Sequence, residues 1–186
     1  MIGFYNLFNI ENDKNDHIIS IEDHLFEAQP FKVCPKTKDE LLMIIAERLK
    51  RNVKNPYLLD INTSNITDFS DLFRPSILCH LYGVRLWDTT TIDIHTWNTS
   101  NVTDMERMFL GCSSLECIKG LENFNISKVE KFGGMFAGCV SLKNINIDDW
   151  NNHNTMRIKK NTYNLCVSCM FMNCKSSIIP QWYYSI

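Results

Sequence analysis

One pattern in the chain has the spacing of a metal or redox site, Cys166-Val167-Ser168-Cys169, and Cys174 lies close behind it. Two thiols at this spacing can bind zinc or exchange as a disulfide. A structural zinc ion needs four ligands, and the nearest histidine is His153. Because the chain has no second C-x-x-C pair, we predict that it binds no metal and no cofactor. One alternative is that Cys166, Cys169 and Cys174 bind a metal ion, and another is that Cys166 and Cys169 serve a zinc- or thiol-dependent enzyme.

No other set of residues has the spacing of a catalytic site. The sequence contains no G-x-S-x-G, Walker, G-x-G-x-x-G or H-E-x-x-H motif. The five histidines share no spacing with one another or with paired carboxylates. The sequence therefore predicts a protein that is not an enzyme.

Composition and the first residues exclude further classes. The chain has 19 Lys and Arg against 21 Asp and Glu, for a net charge of −2, whereas nucleic-acid binders carry a basic excess. No run approaches the roughly 20 apolar residues of a membrane span. Residues 1–13 lack the basic start and unbroken apolar stretch of an export signal. We expect a cytoplasmic protein with reduced cysteines and with no nucleic-acid or membrane partner.

The elements that must position these residues follow an internal repeat. Residues 97–115 and 124–142 match at a spacing of 27 residues. Divergent copies begin at Ile61 and Trp150, each stretched by about nine extra residues. Such units cannot bury their apolar faces alone and must stack, which predicts about four units over 57–186. The matching pairs include Val102 and Val129, Met108 and Met135, Phe109 and Phe136, Cys112 and Cys139, and Leu115 and Leu142.

Each unit combines two periodicities. Ile92-Asp93-Ile94-His95 and Ile145-Asn146-Ile147-Asp148 alternate apolar and polar residues, as a strand with one buried face does. Met105, Met108 and Phe109 have the i, i+3, i+4 spacing of a short buried helix face, and the Asn-x-Ser/Thr triplets before it suit turns. These patterns predict an α/β repeat, a short leucine-rich-repeat-like solenoid of strand–turn–helix units with an N-terminal capping region.

The same patterns divide the chain in two. Residues 1–56 are predicted to form an N-terminal region with a capping helix at about 36–51. Residues 57–186 are predicted to form the repeat region with a C-terminal cap. One repeat position is expected to form a column of small buried thiols: Cys112, Cys139 and Cys174.

The unit at residues 97–115 reads Trp97-Asn98-Thr99-Ser100-Asn101-Val102-Thr103-Asp104-Met105-Glu106-Arg107-Met108-Phe109-Leu110-Gly111-Cys112-Ser113-Ser114-Leu115. This unit resembles the repeat of the BspA-like leucine-rich-repeat proteins. The resemblance covers about residues 57–186, and segments similar to residues 35–42 and 174–183 flank repeat arrays in that family. It implies binding of ligands or partners, mostly at microbial cell surfaces, without enzymatic activity.

The outward face of the predicted strands is the candidate binding surface. Counting back from the large apolar residue that begins each copy gives two outward columns, which are Tyr57, Asp93, Gly120 and Asn146, and Leu59, His95, Glu122 and Asp148. Their acidic and polar character favours a basic patch on a partner. The candidate partner-binding residues are Tyr57, Leu59, Asp93, His95, Glu122, Asn146 and Asp148.

Together these features predict a non-enzymatic module that binds another protein inside the cell. A stoichiometric inhibitor of the toxin-immunity or phage counter-defence type would fit this description. The alternative is a surface or secreted ligand-binding, adhesin-like repeat protein.

Overall fold

The computed structural model describes residues 32–152 and 169–185. Buried apolar side chains from both parts form one core, from Leu41 to Trp182. Of the helices in these two ranges, none is long and apolar enough to cross a membrane. The elements are α1 (Lys38–Arg51), α2 (Pro75–Tyr82), β1 (Thr91–Asp93), β2 (Cys117–Lys119) and the 3₁₀ helices Leu121–Asn123, Asp148–Asn152, Ser176–Ile178 and Gln181–Ser185.

Helix α1 lies where the capping helix was predicted. Thr37 is its N-cap, and its hydroxyl accepts a hydrogen bond from the Glu40 N–H at 3.2 Å. Acidic residues occupy the first turn and basic residues the last, which complements the helix dipole. The buried face consists of Leu41, Leu42, Ile45, Ala46 and Leu49.

The repeat copies lie side by side and pair in parallel. β1 pairs with β2, and Cys117 forms a further bridge to Asn144. A second row of bridges joins equivalent residues of the first three copies: Asp68, Asp104 and Lys131. Upstream of them, Val33 pairs with Ile61 of the first copy.

The prediction of a leucine-rich-repeat-like solenoid built from strand–turn–helix units is wrong. The described residues contain two α-helices and one two-stranded parallel sheet, and neither helix lies at Met105–Phe109. That segment consists of turns. The N–H groups of Met105, Arg107 and Phe109 donate to carbonyls of the next copy, at 2.9 Å each. In a helix they would donate to carbonyls four residues earlier in the same copy. The apolar spacing therefore marks a buried face that is not helical.

Left-handed backbone also prevents a helix at this place in the repeat. An α-helix needs negative φ throughout, and residues other than glycine take positive φ at a cost. Arg107 has a φ of 56°. Equivalent residues of the other copies are left-handed too: Asp71, Gly134 and Cys169.

Phenylalanine rings stack from copy to copy through the core. Phe109 lies between Phe73 and Phe136, with centroid distances of 5.2 and 5.7 Å and nearly parallel planes. Phe171 of the fourth copy continues the stack at 5.5 Å from Phe136. Stacked aromatic pairs stabilise a core beyond the area that they bury.

The predicted thiol column runs beside these rings. Cys112 and Cys139 are buried, and Cys174 is half-buried. Each thiol donates to the carbonyl of a phenylalanine in the preceding copy, at 3.0 to 3.2 Å. Burial, together with the neighbouring Cys174 thiol, raises the pKa of Cys139 to about 12. These thiols are structural and are poor nucleophiles.

The predicted turn role of the asparagines is confirmed, although no helix follows these turns. In three copies an asparagine side-chain oxygen accepts the N–H of the serine two residues later, at 3.0 Å. The pairs are Asn62 and Ser64, Asn98 and Ser100, and Asn125 and Ser127.

Candidate functional site

A groove of about 460 Å³ opens on the outward face of the strand row, and we call it the strand groove. It crosses the segments that precede the second, third and fourth copies. Of the seven predicted binding residues, it brings together His95, Glu122 and Asn146. The lining residues are His95, Ile118, Lys119, Glu122, Asn144, Ile145 and Asn146.

The register of β1 and β2 differs from the predicted column by one residue. Asp93 lies opposite Lys119, where Gly120 was expected. Gly120 is buried, with a φ of 100°, and a Cβ at this position would lie 2.3 Å from the Cα of His95. The third copy therefore accommodates its extra residue at Gly120, which only glycine permits.

Asp93 organises the charged end of the strand groove. Its carboxylate lies 2.7 Å from Nδ1 of His95 and 3.8 Å from Nζ of Lys119. A carboxylate only accepts hydrogen bonds, so Nδ1 of His95 carries a proton and donates it to Asp93. Asp93 does not line the groove, but it fixes two side chains that do.

The β-ladder opens between Lys119 and Asn146. Between β1 and the segment of β2, the N–H of Ile94, the residue after Asp93, donates to the Lys119 carbonyl at 3.0 Å. The N–H that follows Lys119, that of Gly120, donates to Oε2 of Glu122 at 3.2 Å. Because the Gly120 N–H is bonded to Glu122, it does not make the corresponding ladder hydrogen bond to the segment that contains Asn146.

The remaining predicted residues lie outside the lining. Tyr57 is exposed, with the Arg48 guanidinium 5.9 Å from its ring centroid. The carbonyl of Leu59 accepts the Thr96 hydroxyl at 2.9 Å. Asp148 is exposed at the start of a 3₁₀ helix. These three positions do not join the groove.

Sequence reasoning missed four lining residues, the polar Lys119 and Asn144 and the apolar Ile118 and Ile145. The polar two follow from aligning the apolar column Ile92, Ile118 and Ile145, which puts Lys119 beside Asp93 and Asn144 beside Cys117. The prediction counted back from the residue that begins each copy, and the extra residue at Gly120 displaced the predicted column of the third copy by one position.

The thiols that were considered as metal ligands are not gathered into a site. Cys169 is exposed, Cys174 donates its thiol hydrogen to the Phe136 carbonyl, and Cys166 lies outside the described residues. Within 32–152 and 169–185, no group of three or more His, Cys, Asp or Glu side chains has a metal-binding arrangement.

Comparison with known proteins gives a match to a protein family. A protein-family model described as "Mycoplasma protein of unknown function, DUF285" matches residues 46–169. The chain matches no curated protein and no solved structure. The matched range includes the whole strand groove.

Proposed function

The chain belongs to the DUF285 family, whose description gives no function, and we propose that it is a non-enzymatic protein-binding module that acts inside the cell. The strand groove is its binding surface. The observation that supports this proposal is the convergence of His95, Glu122 and Asn146, from three successive segments, on one groove.

The groove has the composition of a recognition surface. Half-buried Ile145 gives it an apolar surface and buried Ile118 also lines it, while His95, Lys119 and Glu122 supply polar groups. Protein interfaces combine such an apolar centre with a polar rim. Binding without turnover suits a stoichiometric inhibitor or adaptor, and we expect one partner molecule for each chain.

The test is capture of the partner from a lysate of the source organism by the tagged chain, with the eluate identified by mass spectrometry. We expect one protein at one-to-one stoichiometry. Asn146→Arg, which puts a long charged side chain into the groove, should reduce capture by about tenfold or more. Light scattering of the purified pair measures the stoichiometry.

Asn65→Arg is the matched control because Asn65 is also exposed but does not line the groove. It should capture the partner as the unmodified chain does. Equal capture by both variants would remove the groove from the binding surface. An empty eluate from the unmodified chain would contradict the proposed function itself.

A further inference from the structure

We propose that the strand groove binds an extended segment of the partner protein that carries a lysine or arginine, and not a folded surface. This inference rests on the proposed function and specifies its ligand. It follows from the open backbone, the shape of the floor and the charge balance of the groove.

The backbone at one side of the groove has hydrogen-bonding groups to offer. Ile145 and Asn146 follow the last bridge of the row, at Asn144. Within the described part of the chain, their N–H and C=O groups have no backbone partner, because the ladder opens between Lys119 and Asn146. Asn144 and Asn146 are exposed, so a ligand can reach this edge. An extended peptide satisfies such groups with its own main chain.

The floor of the groove suits alternating side chains. Ile118 is buried and Ile145 is half-buried beside it, while the flanking Lys119, Asn144 and Asn146 are exposed. A bound strand points successive side chains to opposite sides. One set would contact half-buried Ile145, and the other would face solvent or the polar groups of the groove.

Charge balance selects the sign of the ligand. Two of the titratable lining side chains, His95 and Lys119, already contact the carboxylate of Asp93. Glu122 is exposed and accepts one hydrogen bond, from the Gly120 N–H. No basic side chain of the described residues lies within ion-pair distance of it. A lysine or arginine of the ligand would provide the missing partner.

The test uses a positional-scanning library of peptides of about eight residues, which span about 26 Å when extended. The probe is the library itself, screened against the full chain. We expect selection of Lys or Arg at one position. Affinity for the best peptide should fall about tenfold in Glu122→Gln, which removes the charge but keeps an acceptor for Gly120. Methylation of peptide amides that pair with Ile145 and Asn146 should also abolish binding.

Glu47→Gln is the matched control, since Glu47 is an exposed acid on α1, and it should leave peptide affinity unchanged. Selection without a basic residue, or equal affinity in Glu122→Gln, would overturn the inference. So would a failure to select any peptide. If no peptide is selected but the unmodified chain captures a partner protein that the Asn146→Arg variant does not, the proposed function stands and the ligand is a folded surface. If capture also fails, both proposals are wrong.

Discussion

Gly120 is the residue on which the shape of the strand groove depends. Its left-handed backbone absorbs the extra residue of the third copy, and its missing side chain lets the backbone of His95 approach. Gly120→Ala should lower the free energy of unfolding by at least about 3 kcal/mol, from backbone strain and overpacking together. Urea denaturation measures this loss.

Gly83→Ala provides the control for backbone strain alone. Gly83 ends α2 with a φ of 67°, and a Cβ there would meet no atom within 4 Å. This substitution should cost about 1 kcal/mol. If the two variants unfold at the same urea concentration, the close approach to His95 is not what requires glycine at position 120.

At the scale of elements, α1 is attached to the first copy by an ion pair. Nζ of Lys38 lies 3.0 Å from the Asp68 carboxylate and also contacts the Ser70 hydroxyl. Burial alone would raise the pKa of Asp68, but hydrogen bonds from Ser70 and Lys38 outweigh it, and the pKa is lowered from 3.8. The ionised carboxylate therefore stabilises the attachment of α1.

The lowered pKa predicts a dependence of stability on pH. A carboxylate with a lower pKa in the folded state stabilises the fold above its unfolded-state pKa, and this contribution is lost as the pH falls through the folded-state value. When the pH is lowered from 5 to a value below about 4, the free energy of unfolding should fall more for the unmodified chain than for Asp68→Asn. The difference should be under about 1 kcal/mol, because the pair is partly exposed.

Urea titrations at several pH values measure this effect. Asp88→Asn, at an exposed carboxylate, serves as control and should follow the unmodified chain. If Asp68→Asn loses stability in acid as steeply as the unmodified chain does, the Lys38 pair does not stabilise the folded state.

The elements also show which parts of the fold the sequence can predict. The helix at α1 was predictable because its cap, its apolar face and its charges are all local. The turns at Met105–Phe109 were not predictable, because their N–H groups bond to another copy. A buried face of a short helix and a buried face of these turns both give apolar residues at i, i+3 and i+4. In the groove, His95 was found from alternation alone, whereas Lys119 depends on a register that Gly120 shifts.

At the scale of the whole molecule, a continuous core joins α1 to the C-terminal residues. Buried side chains run from Leu41 through the phenylalanine stack to Trp182 without a break. Neighbouring copies contact one another through this stack. A core without a break predicts that the two ends unfold together.

Phe109→Ala tests this, because Phe109 stacks between Phe73 and Phe136 in the middle of the core. The substitution should lower the free energy of unfolding by about 3–5 kcal/mol. If the core is one cooperative unit, hydrogen exchange measured by mass spectrometry should quicken in α1 and in residues 169–185 alike. Faster exchange confined to the second and third copies would contradict cooperativity. Leu81→Ala, at an exposed leucine of α2, should change stability by under about 0.5 kcal/mol.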